Sequence, residues 1–178
     1  MKRKKRFWNS DKLLSISAIL VSIGTFIVFA YQTNLIRKQQ YMSVLPYLQF
    51  ANYHNYSPNY KFVLTNKGIG PAIVTSTKIS INGKTEEKDL ATYLGENINY
   101  LRDSIGFVTS SIYKGMIIAQ NESIELVKLD SKNRINNSEK LLKMIHNDSL
   151  NFIIEYKSIY GEKWRINIKD FIPVKIDD

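Results

Sequence analysis

Residues 13–31, LLSISAILVSIGTFIVFAY, decide how the rest of the chain is read, because nineteen consecutive residues carry no charge. As a helix rising about 1.5 Å per residue, the run reaches about 28 Å, close to the hydrocarbon thickness of a bilayer. A soluble core helix of that length needs a polar face, and this run has none. Its few Ser and Thr hydroxyls can bond back to the helix's own carbonyls. The run is therefore expected to be a transmembrane helix, with the lipid bilayer as its first partner.

The flanks set an orientation. Lys2, Arg3, Lys4, Lys5, Arg6 and Lys12 precede the run against one acid, Asp11, while only Arg37 and Lys38 follow within ten residues. Basic flanks are retained in the cytoplasm, so the amino terminus is expected inside and the bulk of the chain outside. Phe7, Trp8 and Tyr31 suit the headgroup boundary, where an aromatic ring stays half wet. A cleaved signal peptide is the alternative, and Val28 and Ala30 have the small-residue spacing it requires. The run exceeds the usual length of a signal core, which favours a retained anchor. The reverse orientation, with a cytoplasmic body, also stays open. Lipid attachment through Cys is excluded, since the chain has none.

The net charge of +9 is mostly a property of this amino-terminal flank, where six basic residues face one acid. The remaining charges are nearly balanced and show no Arg-rich stripe among exposed aromatics, so nucleic acid is not expected as a partner. After the anchor and its tail, enough chain remains for one self-sufficient domain, and without Cys its core alone must hold it.

Organisation follows from the change of period. Residues 32–45 contain good helix formers and no breaker before Pro46, so the helix should run from about Ser10 to Gln40 or Tyr41 as a stalk. Ala18 and Ser22 form a small-xxx-small pair on it, a candidate helix–helix packing site for a homo-oligomer. From Pro46 the residues alternate. Tyr47, Gln49 and Ala51 oppose Leu48, Phe50 and Asn52, and strands are expected again over 60–66 and 73–83. Asn82-Gly83 is a tight-turn pair. Residues 85–103 read as a helix or two broken at Gly95, with Glu86 and Glu87 in its acidic first turn and Leu90, Tyr93, Leu94, Ile98 and Leu101 at helical spacing. Two or three strands follow over 106–130, turning at residues 120–122. A short helix then has Asn137 or Ser138 as cap and Leu141, Leu142 and Ile145 as its buried face. A hairpin has arms 150–158 and 163–168, and residues 170–178 read as a tail. Seven or so short strands with two short helical insertions and no βαβ rhythm predict two antiparallel sheets packed face to face.

The segment over residues 62–83, FVLTNKGIGPAIVTSTKISING, is the most distinctive of the body. It resembles the strand connection of Ig-like modules of the bacterial cell-adhesion-related kind. With the stalk residues Gln32, Thr33, Arg37, Gln39 and Gln40, the strand start Pro46, Tyr47 and Leu48, and the turn Asn66, Gly68, Gly70, Pro71 and Ala72, it also resembles a set of small bacterial single-pass membrane proteins. The resemblance spans roughly residues 30–83 and implies membrane attachment and an Ig-like β-sandwich, but no activity. The helical stretches of the second half depart from a minimal Ig-like module.

A search for chemistry finds little. His54 and His146 are the only histidines, too few without Cys for a zinc site. His146 at a helix end fits the favourable placement of a cation there. No nucleophile elbow, phosphate loop or dinucleotide fingerprint occurs, because a strand follows Gly68-x-Gly70. Asp130, Asp148, Glu155, Asp170 and Asp177 are dispersed, without the spacing of an acid–base pair. No catalytic residue, cofactor or metal site is therefore expected. The surplus is aromatic. Tyr47, Tyr53, Tyr56 and Tyr60 crowd into fourteen residues, and Tyr offers contact area at little rotamer cost. Tyr53, His54, Tyr56 and Tyr60 around residues 52–59 form the first candidate partner-binding site, with Tyr160 and Trp164 of the final hairpin next; packing on strands is the competing account.

The expected architecture is thus mainly β. Residues 1–12 form a basic cytoplasmic tail, 13–31 a transmembrane helix, 32–45 a helical stalk and 46–178 an Ig-like antiparallel β-sandwich. The expected function is non-enzymatic: a single-pass protein of the inner (cell) membrane whose extracytoplasmic domain binds or senses another protein or a cell-envelope polymer. The alternative is a membrane effector of a bacterial defence or competition system, its β-domain sensing a signal while the helix oligomerises in the bilayer.

Overall fold

A computed structural model describes residues 10–97, 106–129, 135–147 and 149–176. The basic tail, Phe7, Trp8, Ile98, Leu101, Asp130, Asp148 and Asp177 lie outside the described residues. The chain divides into two compact units, Met1–Met42 and Ser43–Asp178.

The first unit is the helix α1, Ser10–Met42, and none of its residues is buried within the protein. It is long and apolar enough to span a membrane. The hydroxyls of Ser15, Ser17, Ser22, Thr25 and Thr33 each donate to a carbonyl three or four residues earlier at 2.8 Å, so they expose no unmet donor along the apolar run. The apolar stretch and the residues expected as a stalk are one uninterrupted helix, ending four residues before Pro46.

The second unit is β-rich. Its strands are β1 (Leu48–Tyr53), β2 (Lys61–Asn66), β3 (Ala72–Ile81), β4 (Lys84–Glu86), β5 (Phe107–Thr109), β6 (Ile117–Ile118), β7 (Ser123–Leu129), β8 (Leu150–Lys157), β9 (Lys163–Asn167) and β10 (Val174–Ile176). Helix α2 (Leu90–Asn97) follows β4, and α3 (Ile135–Ile145) precedes β8. One sheet has the order β1-β2-β7-β5 and the other β10-β9-β8-β3-β4, with β6 also on β3. Every described pairing is antiparallel.

The apolar faces of both sheets meet in one core. Phe50 of β1 stacks on Phe62 of β2 at 5.3 Å and reaches Phe152 of β8 in the other sheet at 6.1 Å. Leu150, Phe152, Ile154 and Tyr156 alternate inward along β8, as the period-two reading requires. Leu90 and Leu94 of α2 and Leu141 and Ile145 of α3 join the same core. A buried side chain of this size contributes about 1.5–3 kcal/mol, so this shared core is what holds a body without disulfides.

Three expectations need correction. Glu86 does not open a helix; it lies on β4, opposite Ile79, because the Asn82-Gly83 turn returns the chain along β3. Both turn residues have positive φ, 48° and 84°, as a two-residue hairpin demands. Asp89 caps α2 instead, its Oδ1 accepting the Thr92 N–H at 2.9 Å, and the helix runs through Gly95 without a break. Asn137 and Ser138 lie inside α3, not at its cap. The tail forms β10, paired to β9 with Val174 opposite Arg165.

Candidate functional site

The loop 54–60 joins β1 to β2 at one end of the body. Tyr53, His54 and Tyr56 are exposed on it, Tyr56 by 60 %. His54 and Tyr56 hold φ at 55° and 60°, a region that costs a residue with a Cβ about 1–2 kcal/mol. The loop is pinned in this shape by the Ser57 N–H donating to the His54 carbonyl and the Tyr60 N–H to the Ser57 carbonyl, both at 3.1 Å. Lys61 Nζ stands 5.8 Å from the centre of the Tyr53 ring.

Beneath the loop a groove of about 610 Å³ is lined by His54, Asn59, Lys61, Val108, Glu125 and Lys128. Lys61 and Lys128 reach Glu125 at 2.8 and 3.1 Å, and the Lys61 hydrogen bond above all holds that carboxyl below its usual range. With two lysines sharing one carboxylate, the groove offers a floor that keeps one net positive charge.

Tyr60 is different from its neighbours, being fully buried. Its hydroxyl donates to Asn52 Oδ1 at 2.7 Å, and burial pushes its phenol well above the ordinary value. Asn52 Nδ2 in turn lies 3.0 Å from His146 Nε2. The His146 ring stacks on Phe171 at 5.9 Å and meets the Phe62 edge at 6.0 Å. Burial lowers its pKa, so the environment favours a neutral imidazole and not the helix-end cation that the sequence suggests. Tyr60 belongs to the wall that supports the loop, not to its exposed rim.

Tyr160 and Trp164 sit elsewhere. From Asn66, at the far end of β2, the chain crosses over residues 67–71 to β3, whose Ile73 faces Lys157 at the end of β8. The hairpin 158–162 is thus at the end of the body opposite the loop 54–60. Tyr160 is exposed there, whereas Trp164 packs half-buried against the core beneath Lys175, 6.0 Å from the ring centre. The two groups of candidate residues do not form one site. Ala18 and Ser22 lie one turn apart on α1, the Ser22 hydroxyl bonded to the Ala18 carbonyl.

Two polar arrangements escaped sequence reasoning. A groove of about 380 Å³ beside α2 is lined by the hydroxyls of Thr75, Thr77, Thr92 and Ser111 with Glu87 and Lys114. Its residues come from three separate segments, 75–77, 87–92 and 111–114, so no local motif announces it. On the outer face of the second sheet, Ser76, Lys78 and Arg165 converge on Glu155 at 2.8, 3.0 and 2.7 Å. Burial raises the Glu155 carboxyl, but those hydrogen bonds outweigh it and bring it down to about 2. Among the described residues no group of three or more His, Asp or Glu is placed to hold a metal ion.

No family model, no curated protein and no solved structure matches this chain.

Proposed function

We propose that the chain is a single-pass protein of a bacterial cell membrane, its amino terminus cytoplasmic and its body an extracytoplasmic Ig-like binding or sensing module without enzymatic activity. What supports the Ig-like reading is strand order. The order β1-β2-β7-β5 matches the ABED sheet of a constant-type domain and β9-β8-β3 its CFG sheet, with β4 extending the second as a C′ strand does. What supports anchoring is the uncharged stretch 13–31 of α1, together with the six basic residues before it.

The observation that carries the binding role is the loop 54–60. His54 and Tyr56 are kept at positive φ beside exposed Tyr53, and strain of that kind persists where a surface has to keep a particular shape. Two measurements test the reading. External protease added to spheroplasts should digest the body and leave the amino-terminal segment; survival of the body beside a digested periplasmic control sinks the topology. A photo-crosslinking phenylalanine analogue at Tyr56 should yield a discrete adduct in intact cells, and its absence removes the loop as a contact site. Toxicity on overproduction that requires residues 13–31 would instead favour the effector reading.

A further inference from the structure

Chain connectivity gathers one set of loops where the chain enters the body, between Ser43 and Leu48. The turn 67–71 closes directly on this entry segment. Ile69 N–H donates to the Leu45 carbonyl at 3.0 Å, and a Cβ on Gly68 or Gly70 would overlap the carbonyl of Leu45 or of Val44. With those glycines buried, Lys67 and Ile69 alternate outward, and Ile69 is 60 % exposed. The hairpin 158–162 lies at the same end and presents Ile159 and Tyr160, 51 % and 48 % exposed, next to exposed Lys163. Tyr47 is exposed there as well.

Single exposed apolar residues are ordinary on a protein surface. Isoleucines at the tips of two separate turns, with tyrosines and lysines between them, are a surface with a preference. An isoleucine side chain gains from entering acyl chain, tyrosine suits the boundary, and lysine reaches an anionic phosphate from an apolar stem. Residues 32–42 carry α1 about 16 Å beyond the apolar run, and residues 43–47 allow at most about 18 Å of extended chain, enough reach for this end of the body to return to the headgroups.

We propose that this end of the body docks on the lipid headgroup layer, with Ile69, Ile159 and Tyr160 inserted and Lys67 and Lys163 on the phosphates. The proposal rests on the membrane-anchored reading and adds a second lipid contact to it. The body is then held against the bilayer by its own loops, which leaves the loop 54–60 at the opposite end for a partner.

The test uses the full chain in nanodiscs of phosphatidylcholine and phosphatidylglycerol. Since the sequence has no Cys, Ile69→Cys, Ile159→Cys, Ser57→Cys and Leu20→Cys each carry one nitroxide label. Labels at 69 and 159 should collide several-fold less with an aqueous nickel chelate than the label at 57, and more with lipid-soluble oxygen. If position 20 is protected while 69 and 159 are as accessible to nickel as 57, the docking is wrong and the anchor stands. If position 20 is itself open to nickel, the anchored reading fails and takes the docking with it. Protection at 69 and 159 without a gain in oxygen collisions means contact with protein, which also overturns the lipid proposal.

Discussion

Asn66 makes the turn after β2 more than a change of direction. Its Oδ1 accepts the N–H groups of Tyr47 and Gly68 at 3.1 and 3.0 Å, and its Nδ2 donates to the carbonyls of Gly70 and Ile118 at 2.8 and 3.0 Å. All four bonds are out of reach of water or nearly so, and a truncated side chain leaves their partners unmet. Asn66→Ala should therefore cost about 3 kcal/mol, lowering the melting midpoint by roughly 10 °C; a shift of a degree or two in calorimetry would show that the turn holds without it. The Asn-x-Gly-x-Gly pattern is legible as a tight connection from sequence, but the bond to Ile118, fifty-two residues on, is not. His146 gives the second residue-scale test. Its folded pKa is lowered, so the unfolded chain takes up its proton first as pH falls below about 6.5, and stability drops from there until the folded pKa is passed. Glu155 adds its own loss only lower, between the ordinary carboxylate value and about 2. Urea midpoints measured between pH 7.5 and 5 should thus fall for the natural chain and fall less for His146→Gln, whereas parallel curves would place the titration elsewhere.

Elements with a strong period were legible; elements that exist only through a neighbour were not. The α1 helix, the alternation of β1 and β8, and the Asn82-Gly83 turn follow from local sequence, and β2, β3, β7 and β9 also fall where their patterns put them. Strand β4 is implied by that turn, since a two-residue hairpin needs a returning arm, yet the acids Glu86 and Glu87 suggest a helix start when read alone. Strand β10 has no such signal, with Pro173 before it and charged residues around it. It forms because β9 would otherwise present an open edge, and Lys175 closes over Trp164 while pairing with Glu162 at 3.0 Å. The Trp164 Nε1 is buried without a hydrogen-bond partner, and the ring packs against the core. Ending the chain at Pro173 in a Trp8→Phe background should lose about 1 kcal/mol and shift Trp164 emission to the red. Unchanged emission would mean that β10 does not cover the ring.

At the scale of the whole molecule, sequence divides the chain correctly into an apolar helix and a β-rich body but does not say which loops share an end. That depends on where the chain crosses between sheets, and it is why Tyr56 and Tyr160, both suitable for contact, cannot be joined into one site. The division makes a prediction about autonomy. The body has its own core, yet its first residues are part of its structure. Tyr47 accepts the Lys67 N–H at 2.7 Å, Leu45 accepts that of Ile69 at 3.0 Å, and Tyr47 donates to Asn66 at 3.1 Å. Residues 43–178 expressed alone should be soluble, β-rich by circular dichroism and cooperative in urea. A piece starting at Leu48 keeps every strand but strands those donors and acceptors around Asn66, and should lose about 3 kcal/mol or more. Equal midpoints for the two pieces would show that the entry segment merely lies on the body. Failure of the longer piece to fold, with the full chain folded in detergent, would show that the body depends on the helix.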